Sequence, residues 1–480
     1  MNHLLSALFL VYMASLISCG RSGGEARSIP AQGQLSAPTL LPLVDGACSE
    51  GLQNLDNHRF VHWDGEDFLR SSFNESWSSG TTLKSKLVDQ VLYGYQEVVY
   101  VTERCRDSDD VSVLLSNQCF MGAEITSLPR RLKICDEKRY PRKSIESSAL
   151  SVAGALDRFE GFLSDMNLGI DPLPVSVLLL PDVRIDKQDG QKVLSLTDNA
   201  AWVLSEKFTS VPAYIAIYPP SEDYEESGRP PFWEIPWIVS HEYGHHLFYN
   251  LIPDSIRLSY GYLAKWRRGR SLHQNWFIED AKQSYENQVS LSAINEGFSD
   301  LLAHYVSGNK SLQITNLTCQ FYQRDPSHGD FNNGQPKTFD YIANGFSSNF
   351  CDRVGFGEVH ALGSILSFFT DKYMEIYGLD DPIKKGRIVI QTLQTFFQIL
   401  EEDKSLENSL MEAYVVALHK VMLEKFGGLS PKHCSLLDDI FSNVFTLDQM
   451  SLSISESCSK SPAQGSLAIG ASGNVVPAPF

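Results

Sequence analysis

Trp233–Asn250 reads W-E-I-P-W-I-V-S-H-E-Y-G-H-H-L-F-Y-N. Within it, His241-Glu242-Tyr243-Gly244-His245 has the spacing H-E-x-x-H. Residues four apart share one face of a helix, so His241 and His245 can aim two imidazoles at a single metal ion. Glu242 stands one step round the same helix, where it can exchange a proton with metal-activated water without being a ligand. The flanks predict a helix. Pro236 suits a first turn, and Trp237, Val239, Leu247 and Phe248 give the helix a largely buried apolar body. His246 falls one step beyond the ligand face, and the sequence assigns it no role.

Two histidines do not hold zinc tightly, so a third protein ligand is required downstream. The pattern H-E-x-x-H-x-x-G-x-x-H would need glycine at 248 and histidine at 251. Phe248 and Leu251 stand there and exclude it. Residues 292–305 offer a better source: S-A-I-N-E-G-F-S-D-L-L-A-H-Y. Glu296 and Asp300 are spaced i, i+4 on a helix whose other members, Ile294, Phe298, Leu301 and Leu302, are apolar. Two carboxylates on a buried helix face are costly unless a cationic group meets them. A zinc ion on Glu296, with Asp300 accepting the free N–H of a ligand histidine, satisfies both.

N-E-G-F-S-D following H-E-x-x-H resembles the gluzincin metallopeptidases, and A-I-N-E-x-x-S-D is especially similar to their thermolysin-like branch. The resemblance implies zinc on His241, His245 and Glu296, Glu242 as general base, and Asp300 orienting His241. Residues 357–364, G-E-V-H-A-L-G-S, resemble the family's G-x-V-H segment. Its histidine, here His360, donates to the oxyanion of the tetrahedral intermediate. The resemblance further implies a zincin-like two-lobed fold, with an α/β N-lobe carrying the active-site helix and a mainly helical C-lobe. Three departures stand out. Residues 246–295 form a longer connection than the branch has, with a basic run at Lys265, Arg267, Arg268 and Arg270. Gly355 occupies the place of the aspartate that supports the oxyanion histidine, leaving Asp352 or Glu358 as substitutes. The oxyanion tyrosine has only Tyr285 as a candidate.

The rest of the chain predicts an exported protein. Leu4–Ile17 is an apolar run of secretory length, too short to span a membrane comfortably. It ends in Leu16-Ile17-Ser18-Cys19 and Gly20, which resembles the bacterial lipobox and implies lipidation at Cys19. The segment before that run lacks Lys and Arg, and an ordinary cleaved signal peptide is the alternative. Gly20 lacks the aspartate character that signals inner-membrane retention, so the outer membrane is favoured. No later segment offers the length of apolar sequence that a membrane span needs. Residues 20–47 and 459–480, rich in small residues and proline, read as a flexible tether and a disordered tail. Of nine cysteines, removing Cys19 leaves eight (9 − 1), an even number that suggests disulfides in an exported chain. Their clustering favours pairing within the groups Cys48, Cys105, Cys119 and Cys135; Cys319 and Cys351; Cys434 and Cys458. The net charge of −18 argues against a nucleic-acid partner.

The order of elements predicts an α+β fold. Residues 48–143 read as a disulfide-stapled accessory or pro-domain, with strands at Glu97–Val101 and Val111–Leu115. Residues 144–250 read as an α+β catalytic lobe: a helix over 144–166, a buried strand over Pro174–Leu180, and a strand over Tyr214–Tyr218 that Pro219-Pro220 marks as a sheet edge. Residues 251–458 read as mainly helical, with helices near 293–306, 359–377, 383–400, 406–426 and 436–445. The reading that follows is a lipid-anchored zinc endopeptidase acting on a peptide or protein substrate. Its alternatives are a non-catalytic binding lipoprotein, or a peptidase restricted to one partner or to its own N-terminal region.

Overall fold

Two bent segments, residues 88–101 and 175–186, organise the sheets. Strand β4 (Val88–Tyr93) turns at Gly94, where φ is 78°, and continues as β5 (Gln96–Val101) in a different sheet. Strand β8 (Val175–Leu179) turns at Leu180, φ 50°, and continues as β9 (Asp182–Asp186). The left-handed conformation at a branched residue costs about 1 kcal/mol. There, the Leu180 N–H donates to the Ile217 carbonyl at 2.7 Å. The two segments run parallel through both bends, with Tyr93 opposite Leu179 and Gln96 opposite Asp182.

The computed structural model describes residues 34–36, 39–44, 58–64, 67–73, 85–105, 119–135, 138–171, 173–186, 194–204, 213–221, 230–259, 279–307, 326–327, 359–402, 410–427 and 434. With β11 (Ala200–Leu204), β12 (Ala213–Ile217) and β7 (Arg130–Arg131), strands β4 and β8 form a mixed sheet ordered β11-β12-β8-β4-β7. The second five-stranded sheet adds β1 (Gln34–Ser36), β10 (Leu194–Thr197) and β6 (Phe120–Ser127) in the order β1-β10-β9-β5-β6. A hairpin of β2 (Phe60–Trp63) and β3 (Phe68–Ser71) stands apart.

Helix α1 (Ile145–Met166) packs on the first sheet. Ser144 caps it, accepting from the Ser147 N–H at 3.1 Å, and Asn167 closes it in the left-handed conformation. The Phe159 ring meets Tyr243 edge-on at 4.9 Å, which seats α2 (Pro236–Leu251) beside α1. Pro236 opens α2 at its first turn, as the sequence predicts. The short α3 (Asp254–Ser259) follows. Beyond lie α4 (Glu279–Ser307), α5 (Val359–Ile376), α6 (Pro382–Glu402) and α7 (Leu410–Phe426), with α4 packed against all of α2, α5, α6 and α7. The α+β reading and the helices at 293–306, 359–377, 383–400 and, over its described part from residue 410, 406–426 therefore match the fold. Val111–Leu115 and the helix at 436–445 lie outside the described residues, as do 459–480. Among the described residues no helix is long and apolar enough to cross a membrane.

One expectation is corrected, and two features cut across the expected division of the chain. Residues 213–217 do not form a sheet edge: β12 lies between β11 and β8, and all five of its positions are buried. Among the described strands β11 stands at the edge, with its side chains from Ala200 to Val203 buried as well. The tether read over 20–47 is bound to the body from residue 34. There β1 pairs with β10, the Thr39 N–H donates to Pro220 O at 2.9 Å, and the Val44 N–H to Glu146 Oε1 at 2.8 Å. Finally, the boundary at 143 does not coincide with a boundary between sheets, because β4 and β5 pair directly with β8 and β9. Cys105 bonds Cys119, a pairing within the first cysteine group, and Cys135 and Cys434 are also disulfide-bonded.

Candidate metal centre

Every residue of α2 from Pro236 to Phe248 is buried, so its polar side chains must find partners within the fold. Helix α4 crosses α2 at Gly244, where an added Cβ would fall 2.8 Å from Ser299 Cα. That close approach brings Glu296 to the two histidines. His241 Nε2 lies 3.4 Å from Glu296 Oε2, and His245 Nε2 lies 3.6 Å from Glu296 Oε1. The ligand atoms of these three residues lie within 4.8 Å of one another, a group that can hold a metal ion. A tetrahedral ion bonded at about 2.0–2.2 Å needs donor atoms roughly 3.3–3.6 Å apart. The two separations are of that size, one to each oxygen of the Glu296 carboxylate, and two imidazoles with one carboxylate suit a metal ion.

The outer ring nitrogens are also committed. His241 Nδ1 lies 3.0 Å from Asp300 Oδ1, and His245 Nδ1 lies 3.1 Å from Ser299 Oγ. The Asp300 carboxylate only accepts, so it holds the His241 ring proton on Nδ1 and leaves Nε2 facing Glu296, while the Ser299 hydroxyl can serve His245 Nδ1 as donor or acceptor. Trp237 stacks on His241 at 5.2 Å and an interplanar angle of 16°, fixing the ring from a third side. Asp300 is wholly buried, and the imidazole N–H offsets the cost of that burial.

Helix α5 closes the other flank. Gly363 meets α4 so tightly that a Cβ there would stand 2.6 Å from Glu296 Cβ. One turn before it, His360 Nε2 reaches Glu296 Oε1 at 3.5 Å, with its side chain 12% exposed. His360 thus borders the group through Glu296. Tyr285 falls on the first half of α4. Lys265, Arg267, Arg268, Arg270, Asp352, Gly355 and Glu358 lie outside the described residues, as does Cys19.

Helix α2 carries a second pair at i, i+4, Glu242 and His246, and it faces the sheet edge. The main-chain N–H of Trp202, mid-way along β11, donates to Glu242 Oε2 at 2.6 Å. The indole N–H of the same residue donates to His246 Nδ1 at 3.3 Å, and His246 Nε2 donates to Leu173 O at 3.1 Å. An indole N–H can only donate and a carbonyl only accept, so the tautomer of His246 is fixed and neither nitrogen remains for a metal. Burial pushes the His246 pKa down to about 4, which keeps the ring neutral. The sequence reading passed over Ser299, Trp202 and His246. Only His246 carried a signal, being four residues from Glu242. Comparison of the chain with family models, with curated proteins and with solved structures finds no match, so the character of the centre rests on its own geometry.

Proposed function

We propose that the chain is a zinc-dependent endopeptidase of gluzincin type, built on a zincin-like two-lobed fold whose sheet and helical lobes meet where α2 crosses α4. The observation that carries this reading is the donor set: His241 Nε2, His245 Nε2 and the Glu296 carboxylate, a buried group whose ligand atoms lie within 4.8 Å of one another. His241, His245 and Glu296 would hold zinc, with Asp300 orienting His241. When bound, zinc supplies an electrophile that polarises a carbonyl and acidifies water. Glu242, oriented by the Trp202 N–H, takes the proton of the attacking water and hands it to the leaving amine. His360 donates from Nε2 to the oxyanion that develops on the scissile carbonyl. Since β11 is the edge among the described strands and Trp202 ties it to Glu242, an extended peptide would add to β11 by strand pairing. Cys19 would carry the lipid that holds the enzyme at a membrane outside the cytoplasm, with the outer membrane favoured.

The test is zinc stoichiometry by native mass spectrometry on the soluble body and its Glu296→Ala variant, followed by a peptide-library digest. One zinc per wild-type chain, its loss in the variant, and peptide cleavage are expected. Zinc indifferent to Glu296 would overturn the ligand set. Zinc bound without cleavage of any peptide would favour the non-catalytic binding lipoprotein.

A further inference from the structure

Helix α2 presents two i, i+4 pairs to two different neighbours. His241 and His245 face α4, while Glu242 and His246 face β11. The second pair grips a single residue: Glu242 takes the main-chain N–H of Trp202 and His246 takes its indole N–H. His246 is held in turn by the Leu173 carbonyl, which also accepts from Tyr243 Oη at 3.0 Å. The His246 side chain therefore links the segment leading into β8, helix α2 and the edge strand β11.

Strand β11 needs such a link. Among the described strands it pairs only with β12, antiparallel, with Trp202 opposite Ile215. An edge strand is free to shift by fractions of an ångström unless a side chain holds it, and catalysis is sensitive to displacements of that size. The Trp202 N–H that orients Glu242 belongs to this strand. Its position relative to α2 is fixed by the indole at the other end of the same residue.

We infer that His246 is a positioning residue: by latching the Trp202 indole to helix α2, it sets where the β11 main chain lies relative to Glu242. The latch thereby sets where a peptide paired with β11 presents its scissile bond. This inference rests on the peptidase reading given above. It predicts an effect on turnover rather than on metal binding, because both nitrogens of His246 are turned away from the ligand group.

The experiment compares wild type, Trp202→Phe, His246→Ala and the double variant, each loaded with zinc. Trp202→Phe retains an aromatic ring and the main-chain N–H and deletes the indole donor together with one ring, a loss of buried volume that the His246→Ala and His246→Gln variants do not share at this position. Three quantities are measured: zinc per chain by native mass spectrometry, amide hydrogen exchange, and kcat and KM on a peptide that wild type cleaves. Expected are unchanged zinc, faster exchange confined to residues 200–204 with 213–217 still protected, and a fall in kcat of roughly tenfold with KM within twofold. The double variant should fall no further than His246→Ala, since both changes break one link. His246→Gln, which can both accept and donate, should recover part of the lost kcat. Unchanged kcat in Trp202→Phe and His246→Ala, or losses that multiply in the double variant, would overturn the latch while leaving the peptidase reading intact. A His246→Ala protein that loses its zinc would also overturn it, by showing that the ligand group itself was disturbed. Wild type that cleaves no peptide overturns the peptidase reading, and this inference with it.

Discussion

Gly363→Ala tests whether the third ligand is held by the close approach of α5 to α4. The new methyl carbon would stand 2.6 Å from Glu296 Cβ, 2.9 Å from the Gly297 nitrogen and 3.0 Å from the Ala293 carbonyl oxygen. Carbon atoms rest about 3.5–4.0 Å apart, so the two helices must separate by roughly 1 Å. None of the three atoms is the free end of a side chain, so backbone must move. Helix α4 cannot simply retreat, because its far side already touches α2 where Gly244 meets Ser299. Overpacking of this kind costs about 1–3 kcal/mol, even after alanine's helix preference of about 1 kcal/mol is counted. A zinc–oxygen bond of about 2.0–2.2 Å does not survive a 1 Å displacement, so zinc affinity should fall by roughly tenfold or more. Urea unfolding gives the first quantity and competition with a chromogenic chelator the second. Gly161→Ala is the control: nothing lies within 4 Å of its added Cβ on α1. It should stabilise by about 0.5–1 kcal/mol and leave zinc untouched. Gly363→Ala binding zinc and unfolding like wild type would refute the claim that helix proximity positions Glu296.

Glu242→Gln should retain one zinc per chain and lose roughly 10²–10⁴-fold in kcat, measured on any peptide the wild type cleaves. Asp371→Ala should destabilise by about 3 kcal/mol in urea unfolding, because the buried Lys385 loses its close partner and keeps only the exposed Glu375 at 3.9 Å. Lys385 Nζ donates to Asp371 Oδ1 at 2.8 Å, and Tyr305 Oη donates to the same oxygen at 2.6 Å, tying α6 and α4 to α5. Burial lowers the pKa of His419 to about 4, while in the unfolded chain it returns to about 6.5. Its neutral form therefore contributes stability that is fully present above pH 6.5 and is lost as pH falls toward 4. With a chelator present to silence the metal centre, His419→Gln should show a shallower loss of unfolding free energy across that window than wild type. An identical slope would mean that His419 does not titrate there.

Much of the centre was legible because its chemistry is local or periodic. His241, Glu242 and His245 share one helix, and Glu296 and Asp300 form an i, i+4 pair whose burial demanded a cation. Helices such as 382–402 announce themselves by apolar spacing. What escaped reading came from contacts between distant elements. Strand β11 opens with two alanines, which carry little strand preference, so its place at the sheet edge was hidden. The edge was assigned instead to β12, because the prolines after it were read as marking an edge rather than merely ending a strand. Ser299 looked like one more small residue on a helix, and its bond to His245 depends on Gly244 admitting it. Likewise, no periodicity reports that residues 88–101 bend from one sheet into another. A turn at Gly94 is visible in sequence, but the sheet to which each arm belongs is not.

The fastening of residues 34–36 and 39–44 to the body has a mechanical consequence. A pull entering the chain at residue 34 loads the β1–β10 ladder and the Thr39 bond to Pro220 before it can reach α1. The Val44 bond to Glu146 is a further stop at the start of α1. Helices α2 and α4, which carry His241, His245 and Glu296, lie beyond these bonds, so tension on the N-terminal segment is taken up at the sheet and leaves the ligand group undisturbed.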